Sequence, residues 1–256
     1  MQAGVDQLLA WKGAAVAAWF ALLFAAERWR PAAAPRLAEA PWRRLARNAA
    51  LWAGNALMSP LVVLPVSAYA AAHALPWRPA WWSGAGGLAA DLLLLDLLIY
   101  WWHRANHVVP LLWRFHAVHH YDRFLDTTTA LRFHAGEVLL SAAARAAVIV
   151  LLAFPLSSVL VFETLLLLAT LFHHSNLSLP PAVERALSRL VVTPSIHWVH
   201  HHRVRIDTDS NYATILSLWD PLFASRSPHR RAPDMAIGVE AQEERPLLGL
   251  LIAPFR

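Results

Sequence analysis

The sequence predicts an all-α integral membrane protein, and its composition is the first reason. Of the 256 residues, 57% are hydrophobic and only 15% are charged, with a mean hydropathy of +0.40. Soluble domains contain about 45–50% apolar and about 25% charged residues. The chain also lacks cysteine, which excludes disulfides, thiolate metal sites and a cysteine nucleophile.

Long apolar segments are the second reason. Five can be drawn, at residues 8–26, 49–72, 82–102, 138–153 and 156–172. The last two form a hairpin that turns at Pro155, and both arms are short of the about 20 residues that a straight helix needs to cross a bilayer. We therefore expect four to five membrane-inserted helices. No repeat or linker divides the sequence, so residues 1–256 are expected to form one membrane domain.

Arginines predict the orientation of these segments. The loop between the first two carries six of them, Arg28, Arg30, Arg36, Arg43, Arg44 and Arg47. Positively charged loops stay in the cytoplasm, which places Met1 and residues 73–81 outside and residues 103–137 and 173–256 inside. The arginines flank apolar segments rather than forming a nucleic-acid-binding face. Because lysine is nearly absent while alanine and arginine abound, we expect a bacterial inner membrane.

Most of the fourteen histidines fall into clusters at the predicted cytoplasmic ends of these segments. They are His103 and His107 (HxxxH), His116, His119 and His120 (HxxHH), and His197, His200 and His201 (HxxHH), with His173 and His174 lying between the last two clusters in the sequence. Residues at i, i+3 and i+4 share one face of a helix, and neutral imidazole binds iron, zinc, copper and nickel. The set exceeds what one metal ion can use. It predicts two metal ions and nine histidine ligands, one of them from the pair at 173 and 174.

A few polar residues near the clusters have other expected roles. Asp96 lies two helical turns before His103 inside an apolar segment, where a charge is costly and usually functional. It is expected either to accept the second ring N–H of a ligand or to make a helix–helix hydrogen bond. His202 is expected beside the site rather than as a ligand. Glu163 is expected to pair with Arg145 across the hairpin.

The strings around these histidines resemble the fatty acid hydroxylase/sterol desaturase superfamily over about residues 90–225. They are DLLIYWWHRANH at 96–107, LWRFHAVHH at 112–120, RFHAGE at 132–137, FHHSN at 172–176, TPSIHWVHH at 193–201, DSNY at 209–212 and WDPLF at 219–223. The third is similar to the family motif Arg-x-His-Pro-x-Glu, and the fourth to Phe-x-His-Ser-Asn. Four positions depart from the family pattern: Ala135 replaces a proline, Ala213 a glycine, and Ala224-Ser225 a Gly-Thr pair. None of these departures removes a histidine.

The resemblance implies a helical membrane fold with a cytosolic histidine-rich cap and a di-iron centre. Such a centre uses O₂ and electrons from an external donor, a ferredoxin, a cytochrome or a reductase, to hydroxylate or desaturate a membrane lipid. The implied ligands are His103, His107, His116, His119, His120, His174, His197, His200 and His201, with His174 rather than His173 at the family position. His134 is a candidate tenth ligand, and Asn176 a candidate water-mediated one. Imidazole sites also accept zinc, so purified protein can carry zinc instead.

Two other functions remain open at the level of sequence. A histidine-rich membrane metal transporter needs a polar path through the bilayer, and the segments offer little beyond Asp91, Asp96 and Arg145. A catalytically inactive lipid-binding relative would not need a complete ligand set. The sequence does not separate hydroxylation from desaturation, and it names neither the lipid, whether sterol or fatty acyl chain, nor the oligomeric state.

Overall fold

A computed structural model describes residues 2–35 and 39–256, with the backbone alone for residues 2–9. Met1 and Arg36, which entered the orientation argument, lie outside the described residues. Within them the regular elements are helices, supplemented by three isolated β-bridges. In chain order these are α1 (Gln2–Trp29), α2 (Pro41–Met58), a π-turn (Ser59–Val63), α3 (Leu64–Ala72), α4 (Gly84–Val108), α5 (Pro110–His120), a 3₁₀ turn (Thr127–Leu131), α6 (Ala135–Leu152), α7 (Leu156–His174), α8 (Pro181–Leu187), α9 (Pro194–His200), α10 (Arg205–Thr208), α11 (Trp219–Leu222), α12 (Leu247–Ile252) and a 3₁₀ turn (Ala253–Phe255).

Five helical stretches of the described chain are long and apolar enough to cross a membrane, which confirms the predicted fold class. They are Ala10–Trp29, Pro41–Ala72, Gly84–Val108, Ala135–Leu152 and Leu156–His174. The second is 32 residues long and begins eight residues before the predicted segment. It includes the π-turn around Pro60, because proline removes a backbone donor and its ring blocks regular α-helical bonding. Both arms of the hairpin meet the length and hydropathy of a span.

The hairpin between α6 and α7 turns where predicted. Ala153 ends α6 in the left-handed conformation, with φ of 54°, and Pro155 is the N-cap of α7. The predicted ion pair across the hairpin is confirmed, since Arg145 Nη1 lies 3.0 Å from Glu163 Oε1. Lys12 Nζ of α1 lies 2.9 Å from the other oxygen of Glu163. One carboxylate therefore joins three membrane helices.

Asp91 shows how a carboxylate inside a membrane helix is satisfied. It is fully buried in α4 and accepts hydrogen bonds from Arg78 Nη2 at 2.8 Å, Trp82 Nε1 at 3.0 Å and Ser158 Oγ at 2.7 Å. A buried charge is tolerated when it is paired and hydrogen-bonded. Asp91 therefore ties the loop before α4 to the start of α7, away from the histidines.

A second buried network holds the segment that follows α5. Arg44 of α2 donates from Nε to Asp122 Oδ1 at 2.6 Å and from Nη1 to Asp126 Oδ2 at 2.8 Å. Burial alone would raise the pKa of Asp122, but Arg44 and Arg132 outweigh it and lower that pKa to about 2. Asp126 also caps the 3₁₀ turn at Thr127–Leu131. The network fixes the chain immediately after His120.

Ala224 is a position where the family glycine has a clear physical reason. Its φ is 53°, and a left-handed conformation costs an alanine roughly 1–2 kcal/mol. We expect Ala224→Gly to stabilise the protein by about 1 kcal/mol, which corresponds to a rise of about 2–4 °C in melting temperature. Ala213 also stands in place of a family glycine but is not among the residues with positive φ. Thermal unfolding in detergent should therefore show no gain for Ala213→Gly, and equal effects of the two changes would contradict this explanation.

Candidate metal centre

The predicted histidine clusters lie on the ends of four helices that meet at one place. His103 and His107 occupy the last turns of α4, and α5 folds back after Val109 with Pro110 at its first position. Proline is favoured there because the first helical N–H has no partner to lose. The short helix α9 and the end of α7 complete the site. The described chain thus brings together all nine histidines: His103, His107, His116, His119, His120, His174, His197, His200 and His201.

These nine residues divide into two sets, each with its ligand atoms within 4.8 Å of one another. The five-histidine group is His103, His107, His116, His120 and His200, and the four-histidine group is His119, His174, His197 and His201. Each of the two HxxHH strings, one on α5 and one at α9, contributes histidines to both groups. Side chains from α5 and α9 therefore alternate between two neighbouring positions.

The nitrogen atoms of the four-histidine group fit a metal ion better than a hydrogen-bonded cluster. Nδ1 of His119 lies 3.1 Å from the Arg132 carbonyl, and Nδ1 of His174 lies 2.8 Å from the Thr170 carbonyl. A carbonyl can only accept, so each neutral ring has its proton on Nδ1 and a lone pair on Nε2. Those two Nε2 atoms lie 3.0 Å apart. Facing lone pairs repel unless a cation lies between them.

The spacing of the other nitrogens agrees with this interpretation. His197 Nε2 lies 3.0 Å from His174 Nε2 and 3.1 Å from His201 Nε2. In the five-histidine group, Nε2 of His120 lies 3.2 Å from Nε2 of His116. Two nitrogens bonded to one metal at about 2.0–2.1 Å are separated by about 2.8–3.4 Å for angles between a right angle and tetrahedral. The donor set fits metal ions in both groups.

Burial keeps these rings neutral and available to a metal. Among those outside the membrane-spanning helices, five are His119, His120, His197, His200 and His201, and each of these is buried. Burial first, and neighbouring imidazoles second, lower the pKa of every one of the five well below its ordinary value. Metal binding requires deprotonated imidazole. The site therefore does not have to lose bound protons before it takes a metal at neutral pH.

The DSNY segment orients ligands of the five-histidine group. The carbonyl of Tyr212 lies 2.8 Å from His103 Nδ1, and that of Ser210 lies 2.6 Å from His200 Nδ1. Asn211 between them is left-handed, with φ of 53°, a conformation that asparagine tolerates. Asp220 of the WDPLF string accepts from the Tyr212 and Ala213 amides at 2.7 and 3.2 Å. The closing family strings thus act as a support for the histidines.

The RFHAGE string also contacts ligand histidines, in this case those on α5. The Arg132 carbonyl accepts from His119, and the ring of Phe133 stacks on His119 with centroids 4.5 Å apart. Glu137 Oε1 lies 2.7 Å from His116 Nδ1. Hydrogen bonds to the non-coordinating nitrogen fix the tautomer and orientation of a ligand ring. The string therefore positions one ligand in each group.

His134, the candidate tenth ligand, is placed elsewhere by the structure. Its Nδ1 accepts from the Gly136 amide at 2.9 Å, which caps α6, and its Nε2 donates to the Leu251 carbonyl at 3.0 Å. Both ring nitrogens are therefore used, and His134 belongs to neither group. It connects the start of α6 to α12 instead.

Asp96 makes the helix–helix hydrogen bond that was one of its two expected roles, with Trp219 of α11, whereas Asn176 differs from expectation. Asp96 accepts from the Ile215 and Leu216 amides at 3.3 and 3.1 Å and from Trp219 Nε1 at 2.8 Å, so it holds a loop and not a ligand ring. Asn176 Oδ1 accepts from the Ala33 amide at 3.0 Å and from Arg231 Nη2 at 2.9 Å. Backbone, indole and guanidinium donors occupy the acceptor positions of these two side chains.

His173 and His202 lie next to the groups but outside them. The ring of His173 packs on that of His197 with centroids 4.0 Å apart, while its Nδ1 lies 3.1 Å from the Thr214 carbonyl. His202 Nδ1 lies 2.8 Å from Asp207 Oδ2. The sequence did not predict that Glu137 contacts His116 or that Asp209 Oδ1 lies 3.4 Å from His107 Nδ1, although both residues stand inside family strings next to histidine clusters.

The fold and site define a class of protein: a helical membrane protein with two adjoining groups of buried histidines. Comparison with known families then identifies it further, because the fatty acid hydroxylase family model matches residues 88–225. The chain belongs to the fatty acid hydroxylase family. No solved structure matches it.

Several curated relatives are lipid-modifying enzymes. The ornithine lipid hydroxylase OlsE of Rhizobium tropici is 28% identical over 77% of this chain and 58% of its own length. The alkylglycerol monooxygenase of Homo sapiens is 32% identical over 59% of this chain and 32% of its own. The cholesterol 25-hydroxylase-like protein of Danio rerio is 34% identical over 54% of each. The chain thus spans between about a third and somewhat over half of the length of these relatives.

Proposed function

We propose that this chain is an O₂-dependent di-iron oxidoreductase that hydroxylates a C–H bond of a membrane lipid. The observation that carries the proposal is the division of the nine proposed ligands into two adjoining groups. A pair of iron ions at these positions would supply the oxidising power that no protein side chain has. The relatives named above act on an ornithine lipid and an alkylglycerol, which supports a lipid as the substrate.

The protein's own contribution would be to hold the two metal ions and to shield them from water. The five-histidine and four-histidine groups would each bind one iron through neutral imidazoles, and the DSNY and RFHAGE strings would keep those rings from rotating. Residues 90–225 form the catalytic core of this proposal within a single membrane domain. Eight of the nine proposed ligands are buried, and His103 is partly buried. Bulk water is therefore kept from the centre, which protects it from side reactions.

Location and partners follow from the same proposal. His103, His107 and His174 lie at the ends of membrane helices, and α5 and α9 bring the other six histidines beside them. The positive-inside rule would place this end of the helices in the cytoplasm of a cell with a bacterial inner membrane. The lipid would reach the site from the bilayer. Electrons would come from an external donor on the cytoplasmic side, a ferredoxin, a cytochrome or a reductase. Zinc in place of iron would occupy the same imidazoles without redox chemistry.

Comparative lipid mass spectrometry tests the function. Cells that express the chain should contain a lipid heavier by one oxygen atom than its precursor, and cells that express His200→Ala should lack it. A product lighter by two hydrogens would instead show desaturation at the same centre. Identical lipid profiles in the two strains, with equal amounts of folded protein, would count against the proposal and would favour the transporter or the inactive relative.

A further inference from the structure

We propose that the two metal positions are chemically unequal, because Glu137 and Asp209 place carboxylates behind ligands of the five-histidine group alone. This inference rests on the proposed two-metal function. It adds that Glu137 and Asp209 are positioning residues, and that they make the five-histidine metal the more tightly held of the two.

The contact of Glu137 is the stronger one. Its Oε1 lies 2.7 Å from Nδ1 of His116, and both residues are buried. Nδ1 carries the proton in this pair, so the ring N–H donates to an anionic oxygen, a charge-assisted bond. A carboxylate behind a ligand imidazole orients the ring and raises the basicity of the coordinating nitrogen. His116 should therefore be a better donor than a histidine that rests on a carbonyl.

The local sequence is built to bring Glu137 to His116. A Cβ on Gly136 would overlap the ring of Phe115, so only glycine lets the start of α6 lie against α5. His134 caps the same helix end, and Glu137 sits in the first turn of α6. A carboxylate in a first turn is stabilised by the helix dipole. These three residues explain why the string has a capping residue, a small residue and an acidic residue in this order, His134, Gly136 and Glu137.

Asp209 adds a second carboxylate next to the five-histidine group. Its Oδ1 lies 3.4 Å from Nδ1 of His107, and its Oδ2 accepts from Arg205 Nε at 2.6 Å. Among the described residues, Asp209 Oδ1 and both ring nitrogens of His107 are buried without a hydrogen-bond partner. The separation is longer than a normal hydrogen bond. Asp209 is therefore positioned to accept from His107 once a metal draws that ring into place.

The four-histidine group has a different surrounding. His119 and His174 rest on backbone carbonyls, and Nδ1 of His197 and of His201 has no hydrogen-bond partner in the described chain. The nearby carboxylates Asp122 and Asp126 are committed to Arg44. Carbonyl contacts also occur at His103 and His200 of the five-histidine group, so the difference is that the four-histidine group offers one ligand fewer and has no carboxylate behind a ligand. Its metal should leave first, and it should keep more open coordination positions for chemistry.

Metal release to a chelator tests the inequality on the full-length protein. Wild-type protein in detergent, loaded with Zn²⁺ alone, should lose two equivalents to excess chelator in a fast and a slow phase of similar amplitude. Glu137→Gln keeps the shape of the side chain but removes the charge, so it should accelerate the slow phase by about 10–100-fold and leave the fast phase unchanged. Glu163→Gln is the matched control, because Glu163 is a largely buried glutamate that pairs with Lys12 and Arg145. It should change neither phase.

Three outcomes would overturn the proposal: acceleration of the fast phase, equal acceleration of both phases, or no change in Glu137→Gln. Asp209→Asn, at a partly exposed position, provides a second test if Glu137→Gln does not fold, and it should also accelerate only the slow phase. The total zinc content of the wild type tests the proposed function separately. Fewer than two equivalents per chain would refute the two-metal centre itself, whereas two equivalents with unaltered phases would refute only the inequality.

Discussion

Replacing either His119 or His200 by alanine is expected to abolish lipid oxidation and to lower the bound metal together. His119 belongs to the four-histidine group and His200 to the five-histidine group, and both are buried. The loss of one imidazole opens a cavity in the ligand shell that no neighbouring side chain fills. We expect turnover to fall below detection and metal content to fall from two equivalents toward one, measured by lipid mass spectrometry and elemental analysis of the same preparations.

The matched control for this experiment is His73→Ala. His73 lies at the end of α3, and its Nδ1 is bonded to the Tyr69 carbonyl at 2.8 Å. It belongs to neither histidine group, so its replacement should leave metal content and turnover at the wild-type level. Full activity in His119→Ala or His200→Ala would show that the two groups are not the reactive centre. Loss of metal in His73→Ala would show that the loss is a general effect of removing histidines.

The largest effect on stability is expected at Arg44. Its guanidinium contacts Asp122 and Asp126 and also donates to the Phe124 carbonyl and Thr129 Oγ1 at 2.7 and 2.8 Å. Arg44→Ala would leave two buried carboxylates without their cation. Removing one partner of a buried ion pair costs about 3–5 kcal/mol, a large part of the about 5–15 kcal/mol by which proteins are usually stable. We expect little monodisperse protein, with an apparent melting temperature far below that of the wild type.

Arg43→Ala provides the comparison for Arg44→Ala. Arg43 is the preceding residue of α2 and is exposed, with its guanidinium above the ring of Trp42. Surface substitutions of this kind usually change stability by less than about 0.5 kcal/mol. Thermal unfolding followed by intrinsic fluorescence should therefore separate the two variants clearly. Similar melting temperatures for both would mean that the buried network does not hold the chain after α5.

The histidines were predictable from the sequence because their spacing and the helix period together define one face. The membrane helices were also predictable, because the length of their apolar segments is sufficient to identify them. The sequence did not predict which ring nitrogen faces the metal, since that depends on carbonyls such as those of Ser210 and Tyr212. The Tyr212 carbonyl contacts His103, which is distant in the chain, and the Ser210 carbonyl contacts His200; the left-handed Asn211 lies between these two carbonyls.

The errors of sequence reasoning have a common physical origin. Asp96 and His134 share a helix face or a family string with the ligands, so proximity along the chain suggested a role at the metal, for Asp96 as one of two alternatives. In three dimensions other segments use their polar atoms: the amides at 215–216 and the Trp219 indole contact Asp96, and the Leu251 carbonyl of α12 contacts His134. Glu137 and Asp209 show the reverse. Their contacts with His116 and His107 join separate helices, and no periodicity within one helix reveals them.

The origin of the oxygen atom in the product is the most direct test of the central claim. Cells that express the chain should be grown under ¹⁸O₂, and the new lipid compared with that of cells grown in H₂¹⁸O under ordinary oxygen. The proposed di-iron chemistry predicts that the label enters the product from ¹⁸O₂, that H₂¹⁸O contributes none, and that His200→Ala cells make no labelled lipid. A product that takes its oxygen from water would contradict an O₂-dependent oxidation at the nine histidines.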